Sequence, residues 1–130
     1  MTTVEERPTQ EKYGMEYAVN VEERAPDQVY VTVKPADMVP ACEHVVSQLG
    51  GRFLISCGTD ERSSRGDFCA ANLFSLDEEH VFLTVETRLE PDDPTLDSIH
   101  EIVPGASWSE REMQDMLGIT VRNLDDDRRL

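Results

Sequence analysis

Side chains able to perform chemistry are scattered along this sequence and do not have the spacing of a known catalytic or metal-binding motif. The sequence has no CxxC pair, no glycine-rich phosphate loop and no G-x-S-x-G elbow, and its histidines and cysteines lie in separate stretches: His44, His80, His100, Cys42, Cys57 and Cys69. Isolated residues of these types are more often packing or surface residues than ligands or bases. We therefore predict no catalytic residue, no cofactor and no metal site.

Two pairs of neighbouring acidic residues keep a small enzyme as an alternative. They are Glu110 with Glu112, and Asp92 with Asp93. General acid–base catalysis needs two groups that face one substrate. Residues one or two positions apart on a helix do not face each other, so this spacing does not favour catalysis.

The sequence carries a large excess of negative charge. It has 27 Asp plus Glu against 12 Lys plus Arg, a formal charge of −15 over 130 residues. Such a surface repels phosphate backbones and anionic lipids, and the longest apolar runs are too short to cross a bilayer. We predict no nucleic-acid partner, no direct membrane insertion and a cytoplasmic location. An acidic module that binds a basic protein is the other alternative.

The first part of the sequence predicts an arm, a strand and a helix. Residues 1–28 are charged and carry two prolines, so they predict a partly flexible arm with one short helical turn around residues 13–21. A single domain is expected over residues 29–130. Valines alternate over residues 29–33, as in a half-buried strand, and apolar residues of 38–49 fall on one face of a helix that ends at a glycine pair.

The central part of the sequence predicts a meander of strands followed by short helices. Strands are expected over residues 52–57, 67–76 and 80–89, with a mobile polar loop over residues 58–66. Apolar spacing over residues 96–103 predicts a short helix. Together these elements predict an α+β fold, a mainly antiparallel sheet of about four strands with helices packed on one face.

A well-delimited helix is predicted near the end of the sequence. Ser107 and Glu110 have the spacing of a capping box, and Gly118 stands where a C-cap glycine belongs. An apolar stripe of this helix is expected to contain Trp108, Met113, Met116 and Leu117. Arg111 lies between two glutamates, and an arginine fork could hold a loop or a partner. A solvated helix face with a core tryptophan explains the same residues.

The same segment resembles a known family. Residues 108–119 read W-S-E-R-E-M-Q-D-M-L-G-I, which is similar to the W-x-E-R-E-x-x-D-x-x-G-I signature of the 30-kilodalton subunit of respiratory complex I. This family includes the small subunit of group 4 membrane-bound nickel–iron hydrogenases and formate hydrogenlyases. Supporting similarities lie in Arg52-Phe53-Leu54 with Thr59-Asp60, and in Asp93-Pro94-Thr95 with Ser98-Ile99. Residues 123–129 keep the two arginines of the family's G-H-P-D-L-R-R segment but lose its glycine, histidine and proline.

The resemblance implies a structural, cofactor-free subunit of the hydrophilic arm of an NADH:quinone oxidoreductase or related hydrogenase. Its partners would be the large hydrogenase-like subunit, of the 49-kilodalton type, and iron–sulfur subunits, on the inner face of the cell membrane. The helix over residues 107–117 would present Glu110, Arg111, Glu112 and Asp115 to a partner, or it would lock the adjacent turn. The signature and interface residues that the resemblance implies are Trp108, Glu110, Arg111, Glu112, Asp115, Gly118, Ile119, Arg128 and Arg129.

Overall fold

The computed structural model describes Tyr13 and residues 15–124. In chain order the elements are β1 (Ala18–Ala25), β2 (Gln28–Val33), α1 (Met38–Gln48), β3 (Arg52–Glu61), β4 (Asp67–Leu76), β5 (Val81–Leu89), β6 (Thr95–Asp97), α2 (Ala106–Leu117) and β7 (Thr120–Arg122). Short 3-10 turns at Pro35–Asp37 and Asp77–Glu79 precede α1 and β5.

Five strands form one sheet in the order β1-β2-β5-β4-β3, and β6 pairs with β7 separately. Strands β3, β4 and β5 form the predicted antiparallel meander, whereas β2 and β5 run parallel, with Val31 opposite Val85. Both helices cover the same face of the sheet, and Asn72 of β4 connects them. Its side chain lies beside the Cys42 thiol of α1. Its amide oxygen also accepts a hydrogen bond from Ser56, which lies next to α2. The predicted α+β class is confirmed, with five strands in the main sheet.

Alternating side chains of the sheet and one face of α1 build the core. The three valines of β2 are almost fully buried, and their neighbours Leu83 and Val85 on β5 are completely so. Helix α1 contributes Met38, Ala41, Cys42 and Val45 to the same cluster. The period-2 and helical patterns of the sequence therefore placed these elements correctly.

The predicted helical turn around residues 13–21 is wrong for most of its length. Residues 18–25 form strand β1, which pairs antiparallel with β2, so part of the predicted arm belongs to the sheet. Only Val21 of this strand is buried, since an edge strand with one solvated side needs few apolar residues. The extended backbone of β1 results from its hydrogen bonds to β2, and the local sequence pattern of β1 does not reveal them.

Two further expectations are corrected by long-range pairing. Strand β3 continues to Glu61, so only residues 62–66 remain as the turn that was expected to span residues 58–66. The short helix expected over residues 96–103 is instead strand β6 followed by turns, although Leu96 and Ile99 are buried as predicted for its apolar face. Pairing with β7, far along the chain, gives this segment its extended backbone.

Candidate functional site

Helix α2 lies between two glycines, one at each end. Gly105 is its N-cap and makes no side-chain capping bond, so the predicted capping box is wrong. Gly118 is the C-cap, as predicted, with a φ of 74° that suits glycine, and its N–H donates to the Gln114 carbonyl at 3.0 Å. The following Ile119 is fully buried.

The first glutamate of the Glu-Arg-Glu run points into the protein. Glu110 is 1% exposed, and its carboxylate accepts a 2.5 Å hydrogen bond from the Ser98 hydroxyl and a 2.9 Å bond from the Ile99 N–H. A buried carboxylate is costly without such donors. Glu110 therefore fixes the loop after β6, which is the second of the two roles expected for this helix, and its burial does not fit presentation to a partner.

Ser98 also contacts His100. The Ser98 oxygen accepts the His100 N–H at 3.0 Å and lies 2.9 Å from His100 Nδ1. Because the only proton of the hydroxyl is donated to the Glu110 carboxylate, Nδ1 must be the donor in its contact with Ser98. The ring is thereby oriented with Nε2 at its other edge, a role that the scattered histidines of the sequence gave no reason to expect.

A small parallel strand pair joins the two sequence segments that carry the family resemblance. The Thr120 N–H donates to the Pro94 carbonyl and the Ser98 N–H to the Arg122 carbonyl, each at 2.8 Å. The Gln114 side chain accepts the Val121 N–H at 3.0 Å. The segment around residues 93–99 and the helix signature are thus one structural unit.

The inner face of α2 covers the edge of the main sheet. The Ser56 N–H of edge strand β3 donates to the Ser109 hydroxyl at 3.1 Å, which satisfies a backbone group that an uncovered edge would leave open. A Cβ built at Gly58 would lie 2.8 Å from Leu117 Cδ1 and 2.9 Å from Met113 Cγ. The helix therefore sits directly on the backbone of β3.

The outer face of α2 carries large apolar side chains. Trp108 is 63% exposed and Met116 is 77% exposed, whereas Met113 is buried and Leu117 is partly buried. The single apolar stripe expected from the sequence is therefore wrong, as is the core tryptophan. The Arg111 guanidinium lies 5.6 Å from the Trp108 ring centroid, within cation–π range.

The remaining signature residues are distributed as follows. Glu112 is exposed and Asp115 is half-buried, both on the outer side of α2. Glu110 and Glu112 therefore face different surroundings, which removes the geometry that a shared acid–base site would need. Arg128 and Arg129 lie outside the described residues.

The thiols and metal-ligating side chains form no reactive cluster in the described part of the chain. Burial raises the pKa of Cys42 and of Cys57, and burial together with the charge of Glu86 raises the pKa of Cys69 to about 11. These shifts disfavour the nucleophilic thiolate. Tyr13 and residues 15–124 contain no group of three or more metal-ligating side chains. None of their helices combines the length and apolar character needed to span a membrane.

Sequence comparison places the chain in a family. Residues 31–130 match the family model described as respiratory-chain NADH dehydrogenase, 30 Kd subunit. The chain is 30% identical over 134 residues to formate hydrogenlyase subunit 5 of Escherichia coli, covering 94% of this chain and 24% of that protein. It is 29% identical over 130 residues to a subunit of the NADH-quinone oxidoreductase of Cereibacter sphaeroides, covering 88% and 64%. The chain belongs to the family of the respiratory-chain NADH dehydrogenase 30-kilodalton subunit.

Solved structures share this fold. A trypsin-resistant fragment of Nqo5 superposes with a TM-score of 0.77 at 16% identity, covering 92% of this chain and 97% of that one. A chain from a membrane-bound sulfane sulfur reductase, described as an archaeal respiratory membrane complex, gives a TM-score of 0.76 at 17% identity, covering 92% and 69%. The chain spans only about a quarter of formate hydrogenlyase subunit 5.

Proposed function

We propose that this chain is a cofactor-free assembly subunit of an NADH:quinone oxidoreductase or a related membrane-bound hydrogenase. It would pack against the large, hydrogenase-like subunit of the hydrophilic arm, on the cytoplasmic side and peripheral to the membrane. The observation that carries the proposal is the family match over residues 31–130.

The lengths of the matched proteins support a partner of this kind. The region similar to this chain makes up 24% of formate hydrogenlyase subunit 5 and 20% of hydrogenase-4 component G, both from Escherichia coli. In those proteins the domain is covalently joined to a much longer remainder. Domains of one chain pack through interfaces that resemble those between separate proteins. A separate chain with this domain would make the corresponding contact across a subunit interface.

The internal contacts of the signature suit a positioning role. Glu110 is buried and fixes α2 against the loop after β6. Ile119 is buried and fixes the end of α2 against the core, and Gly118 ends the helix immediately before it. A helix held from both ends and from beneath offers a partner a surface that does not need to be ordered on binding.

A second function, a stand-alone acidic protein-binding module, is favoured by one feature of the surface. Ion pairs within the chain occupy the arginines Arg24, Arg52, Arg62, Arg65, Arg88 and Arg122. Much of the −15 charge has no internal counterpart, since acidic residues outnumber basic ones by 27 to 12. A complex held by charge would weaken steeply with salt, whereas a packed apolar interface would not.

The test is affinity purification of the tagged full-length chain from its native membranes in mild detergent, followed by mass spectrometry. Co-purification of a chain similar to the longer remainder of formate hydrogenlyase subunit 5, retained at 0.5 M salt (about a 4 Å Debye length), is the expected result. Recovery of the tagged chain without such a subunit would contradict the assembly role. Release of every bound protein by salt would favour the acidic module instead.

A further inference from the structure

A chain of hydrogen bonds joins the partly exposed His100 to the buried carboxylate of Glu110. His100 Nδ1 lies 2.9 Å from the Ser98 hydroxyl oxygen, and that hydroxyl donates to Glu110 Oε1 at 2.5 Å. His100 is half-buried, whereas Glu110 is 1% exposed. We propose that His100, Ser98 and Glu110 form a site for one proton, which is taken up at His100 and reaches Glu110 through the Ser98 hydroxyl.

The Ser98 hydroxyl is fully used before a proton is added. A hydroxyl group has one proton to donate and two lone pairs with which to accept. Ser98 Oγ donates to Glu110 and accepts two N–H groups of His100, the backbone N–H at 3.0 Å and the ring Nδ1–H at 2.9 Å. The lone pair of the ring therefore lies on Nε2, which is the atom that can take up a proton.

An added proton can be passed inward while each of these contacts is kept. When Nε2 gains a proton, Nδ1 gives its own proton to Ser98 Oγ, and Ser98 gives its proton to Glu110 Oε1. One proton enters, no atom leaves, and the ring is neutral again with its proton on Nε2. Ser98 then donates to Nδ1 and accepts from Glu110, so two hydrogen bonds reverse direction and the carboxylate becomes neutral.

The difference in burial between the two ends draws the proton toward Glu110. A carboxylate that is 1% exposed has a large desolvation cost, whereas a partly exposed imidazole does not. The Ile99 N–H, 2.9 Å from Glu110 Oε2, opposes the transfer because a hydrogen bond to a neutral carboxyl group is about half as strong. Proton uptake at the surface therefore weakens a bond that fixes the loop after β6.

The single hydroxyl limits the site to one proton. If His100 and Glu110 were both protonated, Nδ1–H and the carboxyl O–H would compete for Ser98 Oγ, which already accepts the His100 backbone N–H. An oxygen with two lone pairs does not accept three donors. Loss of the attraction between an imidazolium and a carboxylate acts in the same direction. The two residues are therefore expected to titrate as a coupled pair, in two separated steps.

The elements packed against Glu110 from α1 and the sheet bring no competing proton acceptor in the described part of the chain. Burial raises the pKa of the Cys42 thiol of α1, and the charge of Glu110 adds to the rise, so this thiol keeps its proton. Strand β3 meets α2 through Ser56 and Gly58, which do not titrate.

Charged residues on the other neighbouring elements have surroundings of their own. Asp97 of β6 and Arg122 of β7 are paired at 2.9 Å, and Glu101, which follows His100, is exposed. The Arg111 guanidinium of α2 lies 5.6 Å from the Trp108 ring centroid. Asp37, in the turn before α1, acts on Tyr17. Proton exchange is thus assigned to His100 and Glu110.

Nuclear magnetic resonance of the full-length chain tests the site through the His100 ring nitrogens and the Glu110 carboxyl carbon, followed as pH falls. Above the titration range of histidine, the Nδ1–H tautomer of His100 should be in about fivefold excess or more, the ratio that one net hydrogen bond gives. Both signals should then change together in the first step. Ser98→Ala should abolish the tautomer excess, and His100→Ala should turn the Glu110 titration into a single step. His44 of α1 is the control histidine and should be unaffected by either change.

Three results would overturn the proton site. They are an Nε2–H tautomer of His100 in the unaltered chain, a Glu110 titration that is identical with and without His100, and a first step confined to the imidazole. Should Ser98→Ala unfold the chain, His100→Ala decides, because its side chain is partly exposed and the Ser98–Glu110 bond remains. The measurements need no partner, so their outcome is independent of the proposed assembly role.

Discussion

Replacing Glu110 by Ala is expected to lower the free energy of unfolding by about 3–6 kcal/mol, because hydrogen bonds to a charged group contribute about 1.5–3 kcal/mol each. The carboxylate accepts two such bonds, from the Ser98 hydroxyl at 2.5 Å and the Ile99 N–H at 2.9 Å, in a site that is 1% exposed. Its removal takes this acceptor away from the buried Ile99 N–H and forces the Ser98 hydroxyl to turn toward His100 Nδ1, 2.9 Å away. The free energy of unfolding of a domain is only about 5–15 kcal/mol, so this loss would be a large fraction of it.

The comparison of two substitutions at this position isolates the charge. Glu110→Gln keeps the shape and one acceptor for the Ile99 N–H, but its bonds are neutral and about half as strong, so a loss of about 1–3 kcal/mol is expected. The amide would also face Ser98, whose hydroxyl would have to accept instead of donate. The order of stability should therefore be glutamate, glutamine, alanine.

Urea unfolding followed by far-ultraviolet circular dichroism measures these differences. With a urea dependence of about 1–3 kcal/mol per molar, the Glu110→Ala midpoint should fall by at least about 1 M. Glu112→Ala, an exposed change on the same helix, is the matched control and should stay within about 0.5 kcal/mol of the unaltered chain. Equal midpoints for the Glu110 and Glu112 variants would refute the view that a buried carboxylate holds the loop to α2.

Two further changes test the contact of α2 with the sheet and the ion pairs of the surface. Gly58→Ala places a methyl group about 2.8 Å from Leu117 Cδ1 and should cost about 1–3 kcal/mol by overpacking; Gly105→Ala, which meets nothing within 4 Å, is its control in the same urea titration. Hydrogen bonds from Arg52 lower the pKa of Asp77 to about 2, so ionised Asp77 favours the fold above its ordinary 3.8, and this contribution is lost as pH falls from there toward 2. Arg52→Ala should return the carboxyl titration seen by NMR toward 3.8, and a midpoint that stays near 2 would exclude the arginine as the cause.

Local pattern determined strands β2 to β5 of the main sheet and both helices. The strand predicted over residues 67–76 has those bounds in the structure, since nearly every position of a central strand is buried and its composition shows it. The glycine that ends α2 was identifiable for a similar reason. A residue with positive φ beyond the last helical turn favours glycine regardless of the tertiary fold.

The direction in which the signature residues face was not encoded locally. Glu110 and Trp108 have the usual character of an exposed and a buried residue, yet the structure places the glutamate inside and the tryptophan outside. Ser98 and Ile99 supply the donors that make a buried carboxylate tolerable, and they come from a different element. A helical pattern alone cannot show that such donors exist.

The sequence by itself determined the period of each long element, the excess of negative charge and, through residues 108–119, the family. The tertiary structure decided the strands β1, β6 and β7, whose backbones are extended because they pair with distant segments. It also decided which residues of α2 are exposed and which are buried. The physical reason is the same in both cases, because hydrogen-bond partners and covering surfaces come from residues far apart in the chain, and local periodicity carries no record of them.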